Sequence, residues 1–97
     1  MAEIGQGYST EFDGLLLEVA WLHYGSGAVW QYKIMRPPGN TILTNWTPVT
    51  EDPFQEQENA KYHAVTDALR QLHRSVEDPY AVFHGTRWQP FGPGHAG

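Results

Sequence analysis

Residues 15–36 read LLLEVAWLHYGSGAVWQYKIMR, and the reading of this stretch decides the fold. From Leu15 to Trp21 the odd positions carry Leu15, Leu17, Val19 and Trp21, with Glu18 and Ala20 between them. From Ala28 to Arg36 the apolar set is even: Trp30, Tyr32 and Ile34, with Gln31 and Lys33 opposite. Alternation with a period of two marks strands that bury one face. Gly25-Ser26 lies between the two runs, and a two-residue loop with glycine first suits a type II′ hairpin turn. That turn pairs Tyr24 with Gly27, which sets Trp21 opposite Trp30, Val19 opposite Tyr32 and Leu17 opposite Ile34. On the reverse face it sets Glu18 opposite Lys33, a favourable cross-strand charge pair. A slip of one residue would bring apolar positions of one strand beside polar positions of the other.

Working outward, Pro37-Pro38-Gly39-Asn40 reads as a turn, with Pro38-Gly39 at the central positions of type II. A third strand, Thr41 to Thr47, follows and ends at Pro48. Its register is open, because Ile42 and Trp46 share one face and Leu43 lies on the other. Next comes a helix, with Asp52 as N-cap, Pro53 at the first position and Gln55 as capping-box partner. Acidic residues from Glu51 to Glu58 crowd its start, and Arg70, His73 and Arg74 its close, as the helix dipole favours. Val65, Leu69, Leu72 and Val76 form one stripe, flanked by Lys61, Tyr62 and Ala68. With Asp78-Pro79 as the stop, about 24 residues would run roughly 36 Å. The expected architecture is α+β: a three-stranded antiparallel meander packed on one amphipathic helix, in the order β-β-β-α. Tyr80-Ala81-Val82-Phe83 is a candidate for a short fourth strand. Residues 1–10 read as a flexible N-terminal arm, 11–79 as a single domain, and 80–97 as a Gly/Pro/aromatic tail.

Composition excludes several classes. The 97 residues carry 6 Lys plus Arg against 11 Asp plus Glu, a formal charge of −5. An acidic balance opposes general binding to a phosphate backbone. There is no cysteine, hence no disulfide, thiolate metal site or thiol nucleophile. The apolar run Leu15 to Leu22 is far below the roughly 20 residues of a membrane helix. Met1-Ala2-Glu3-Ile4-Gly5 lacks the pattern of a signal peptide, so the expected location is cytoplasmic. The five histidines show no zinc spacing, though His63 and Asp67 share a helix face. Ser9, Ser26 and Ser75 lie in no Gly-x-Ser-x-Gly elbow, and no glycine-rich loop precedes a helix. No catalytic residue, metal or cofactor is assigned. Asn45-Trp46-Thr47 matches a glycosylation sequon, read as a chance match.

One mismatch points to a partner. A single helix covers one sheet face, whereas the other would present Leu16, Ala20, Leu22, Tyr24, Val29 and Met35. So large an apolar patch calls for a cover. Either the tail folds back through Phe83, Trp88 and Phe91, or a second protein docks, whether a copy of the chain or a different one. The residues expected to bind a partner are therefore Leu16, Leu22, Tyr24, Val29, Met35, Trp88 and Phe91. The leading expectation is a small non-enzymatic protein-binding domain that occludes its partner, with the acidic rim at Glu51 to Glu58 setting specificity. An alternative is a single-stranded nucleic-acid binder that stacks bases on Tyr24, Trp46 and Trp88. A small-molecule acid–base enzyme ranks third.

From Phe12-Asp13-Gly14 before the first strand to the helix segment Glu58-Asn59-Ala60 through Ala68-Leu69, the layout resembles the HicB-like sheet-and-helix domains of small bacterial proteins. The likeness spans residues 11–76. It implies an antitoxin or protein-binding role, often as a dimer, with a separate DNA-binding segment. Here an aromatic Gly/Pro tail stands where that segment would be, so the expectation narrows to an inhibitor or antitoxin-like accessory protein of a bacterium or phage.

Overall fold

The computed structural model describes residues 7–49 and 56–91, apart from the side chains of Tyr24 and Glu56. In chain order the elements are β1 (Gly7–Phe12), β2 (Leu15–Tyr24), β3 (Gly27–Arg36), β4 (Thr41–Pro48), α1 (Glu56–Gln71), α2 (Pro79–Gly85) and β5 (Gln89–Phe91). The fold is α+β, as expected. The strands form one antiparallel sheet in the order β4-β3-β2-β1-β5. The expected meander is its β2-β3-β4 part, widened by a strand on either side of the chain's helices.

The central hairpin forms in the expected register, from Leu16 opposite Met35 through Trp21 opposite Trp30 to Tyr24 opposite Gly27. Gly25 has φ 65°, which the first position of a II′ turn requires. Glu18 and Lys33 meet across the strands at 3.5 Å. Leu15, Leu17, Val19, Trp30, Tyr32 and Ile34 are buried and face the helices.

Gly7 to Thr10, read as part of a loose arm, belongs to β1. Asp13 and Gly14 both have positive φ, 49° and 84°, so they form the two-residue hairpin turn that Asp-Gly favours. The turn sets Tyr8 opposite Val19, Thr10 opposite Leu17 and Phe12 opposite Leu15, all on the helix side. At the other end of the hairpin pair, the Pro37–Pro38 peptide is cis, and the positive φ falls on Asn40 at 51°, not on Gly39. The expected type II turn is therefore replaced by a different one.

β4 is irregular where the sequence left its register open. Between Tyr32 and Met35 its pairing slips twice, at two bulges. Ile42, opposite Met35, and Trp46, beside Lys33, lie on the outer face. The bulges turn both Leu43 and Thr44 towards the helix side, where Leu43 packs on the core and Thr44 meets α1.

α1 is shorter than the sequence suggests. Arg74 N–H donates to Leu69 O at 2.9 Å and His73 N–H to Arg70 O at 3.0 Å, with His73 at φ 55°. These bonds are a Schellman ending, which satisfies the last carbonyls once the chain turns left-handed. Leu72 and Val76 continue the apolar stripe and pack on the core from outside the helix. Asp78-Pro79 starts a second helix instead of stopping the first: Asp78 Oδ1 accepts from Ala81 N–H at 3.2 Å, and Pro79 opens α2. Tyr80 to Phe83 is thus helical, not a strand. The expected N-terminal signals at Glu51, Asp52, Pro53 and Gln55 lie outside the described residues.

The core sits between the sheet and α1, which supplies Ala60, Ala64, Val65, Ala68 and Leu69, with Phe83 added from α2. Lys61 is buried among them because its stem covers apolar surface while its ammonium lies 4.1 Å from the Tyr8 ring centre and 3.5 Å from Glu58. Tyr62 stacks on Tyr80 with ring centres 4.5 Å apart, which docks α2 on α1.

Candidate protein-binding face

Both helices lie on one side of the sheet, so the other side is built by the alternate positions of its strands. β2 contributes Leu16, Glu18, Ala20 and Leu22, and β3 contributes Val29, Gln31, Lys33 and Met35. β4 adds Ile42 and Trp46, and β5 adds Phe91. Among the described residues, no helix crosses this outer face. Leu16, Leu22 and Val29 are half-buried, and Met35, flanked by Leu16 and Ile42, is buried. Ile42 is 52% exposed, the most open large apolar side chain of this face among the described residues.

The middle of the face is charged but balanced. The Lys33 ammonium lies 3.5 Å from Glu18 and 4.9 Å from the Trp46 ring centre. Gln31 is buried and donates to His23 O at 3.2 Å, so its amide is held within the sheet. At the β1 margin the Phe91 ring covers Gly7; a β-carbon on Gly7 would come within 2.7 Å of it. That close approach is the reason a glycine suits the position.

Of the residues expected to bind a partner, Leu16, Leu22, Val29, Met35 and Phe91 therefore share the outer face. Tyr24 ends β2, and its side chain lies outside the described residues. Trp88 does not join them. It packs against the helix-side core, with its ring centre 5.9 Å from the Lys61 ammonium. The reason is connectivity: α2 docks on α1, so the chain must cross the helix side to reach β1's free edge. Thr10 Oγ1 fastens that crossing by donating to Arg87 O at 2.7 Å. Of the tail residues expected to fold back over the outer face, Phe83 and Trp88 accordingly cover the helix side, and Phe91 reaches the outer face at its β1 margin. Ile42 and Trp46 are the face residues missing from the expected set. Their shared side was legible, but the bulges hid which side of the sheet it was.

A second polar cluster lies where α1 meets the sheet. Asp67, 5% exposed, accepts at Oδ2 from Tyr32 Oη at 3.0 Å and Thr44 Oγ1 at 2.9 Å. Its Oδ1 accepts from Arg70 Nε at 3.0 Å and Nη2 at 2.5 Å. Burial alone would raise the Asp67 pKa, yet the bonds from Arg70, Thr44 and Tyr32 outweigh it and hold the carboxyl below its ordinary value. Asp67 is thus a fixed acceptor and a poor proton carrier near neutrality. His63 shares a cleft of about 310 Å³ with Tyr32, Asp67 and Arg70. A larger cleft of about 560 Å³ adjoins it, lined by Arg70, His73, Arg74 and Val76 among others. Its two guanidinium groups are neutralised by Asp67 and Asp13.

Among the described residues there is no group of three or more His, Asp or Glu side chains placed to hold a metal ion. No described helix is long and apolar enough to cross a membrane. Comparison with protein-family models, curated proteins and solved structures finds no match to this chain.

Proposed function

We propose that this chain is a small non-catalytic protein-binding domain that works by occlusion, its outer sheet face docking on a protein partner. The role fits an inhibitor or antitoxin-like accessory protein. One observation carries the reading: both helices and Trp88 gather on one side of the sheet, leaving Leu16, Leu22, Val29, Ile42 and Trp46 on the other. Apolar and aromatic side chains are the ordinary core of a protein contact, and the Glu18–Lys33 pair among them is self-neutralised. Single-stranded nucleic acid is a weaker fit. Lys33 on this face is engaged by Glu18 and Trp46, and Trp88 is turned to the helix side.

The test compares immobilised wild type with Ile42→Asp and Leu22→Asp as baits in an extract of the source cells. Circular dichroism serves as the folding check. A protein recovered by wild type and reduced at least tenfold with folded Ile42→Asp supports the reading. The same recovery with both folded variants overturns it.

A further inference from the structure

We propose that the outer face binds the same face of a second copy of this chain, about a two-fold axis running along the β2–β3 hairpin. The inference rests on the reading of that face as a protein contact and names its occupant. The register of the hairpin makes the face self-complementary. On the outer face the directly opposed pairs are Leu22–Val29, Ala20–Gln31, Glu18–Lys33 and Leu16–Met35. A two-fold axis parallel to the strands, midway between β2 and β3, exchanges the two members of every pair. It lays Glu18 of one copy over Lys33 of the other, twice, with Leu22 over Val29 and Leu16 over Met35. Charge meets opposite charge at the Glu18–Lys33 level and apolar meets apolar at the Leu22–Val29 and Leu16–Met35 levels, while at the fourth level the small Ala20 faces Gln31. Trp46, which lies beside Lys33 on β4, falls over β1 of the second copy near Ser9, the small residue level with Glu18.

The competing face-to-face arrangement is disfavoured by the same residues. A two-fold axis across the strands at the Glu18–Lys33 level would lay Glu18 on Glu18 and Lys33 on Lys33. Like charges opposed across a dry interface cost several kcal/mol. Edge-to-edge pairing is also obstructed. β4 carries two bulges, its Trp46 N–H donates to Asn45 Oδ1, and its Asn45 O accepts from Thr47 Oγ1. β5 is three residues long with Pro90 in the middle. Short, bulged and proline-bearing edges resist strand addition. A different protein would need its own matching array of charge and apolar groups, whereas a second copy supplies one by symmetry.

The experiment measures mass by light scattering and sedimentation equilibrium over a range of concentrations, on wild type, Glu18→Lys, Lys33→Glu and the double variant. Wild type is expected to form a dimer of 11.0 kDa chains. Each single variant, checked for folding by circular dichroism, should weaken dimerisation at least tenfold. An equimolar mixture of the two single variants should regain it, because Glu18→Lys then sets a lysine over the glutamate of Lys33→Glu, while the unchanged Glu18 and Lys33 face each other at the second contact. The double variant should also recover. A monomeric wild type at every concentration overturns the inference, as do single variants that dimerise like wild type. If a monomeric wild type still captures a protein that Ile42→Asp loses, the second copy is overturned and the protein-contact reading stands. If capture is also unaffected by Ile42→Asp, both fall.

Discussion

The Asp67 carboxylate accepts hydrogen bonds from Tyr32 on β3, from Thr44 on β4 and from Arg70 one turn further along α1. One side chain thereby sets the distance between helix and sheet. Gln71 Nε2 extends the network by donating to Thr44 Oγ1 at 3.3 Å. Replacing Asp67 with Asn keeps the shape but removes the charge and one acceptor, so buried donors are left unmatched. The expected loss is about 2–3 kcal/mol, read as a lower urea midpoint at neutral pH. The pH dependence has a definite sign. The folded carboxyl titrates below its unfolded value of about 3.9, so its contribution is complete above that pH. It declines as the pH falls through the unfolded value towards the folded one. The gap in stability between wild type and Asp67→Asn should therefore narrow on acidification below about pH 5; a gap unchanged down to pH 3 would contradict the assignment. His63 and Asp67 could be placed on one helix face from spacing alone. The Thr44 contact could not, because it depends on a bulge in another strand.

Elements show the same division. The β2–β3 hairpin was readable because turn chemistry and side-chain alternation specify one register independently. Asp13-Gly14 carries an equally good turn signal, but the polar stretch before it, with Gly5 and Gly7, has no apolar alternation to mark a strand. The α1 ending was obscured for a different reason. Leu72 and Val76 keep the helical apolar spacing, yet they reach the core from a chain that has already left the helix. At 16 residues α1 runs about 24 Å, shorter than a ten-residue strand of about 33 Å. Its ending requires a left-handed residue, and His73 fills that position at φ 55°. The left-handed region costs a side-chain-bearing residue about 1–2 kcal/mol, partly offset by the greater unfolded-state freedom of glycine. His73→Gly should therefore stabilise the fold by about 0.5–1 kcal/mol, raising the melting temperature by roughly 4 °C. A lower melting temperature would show that the His73 side chain stabilises the fold by more than this strain.

For the whole molecule, the question is which side of the sheet each late segment covers. Phe83 and Trp88 went to the helix side and Phe91 to the outer side, although all three lie within nine residues. If a second copy covers the outer face, folding and association are linked by mass action. The melting temperature should then rise with protein concentration for wild type and stay flat for Glu18→Lys; a flat wild-type response across a hundredfold range would count against association. What the sequence by itself determined is whatever local chemistry specifies: the paired strands 15–36, the balanced Glu18–Lys33 rung, an amphipathic helix after them, and two faces with unequal cover. The tertiary structure alone decided the strand order β4-β3-β2-β1-β5, the bulges that bring Thr44 to Asp67, and the side taken by Trp88. Periodicity says which residues of a strand point together, but strand order and the route of a connection depend on distant segments competing for the same edge and the same apolar cover.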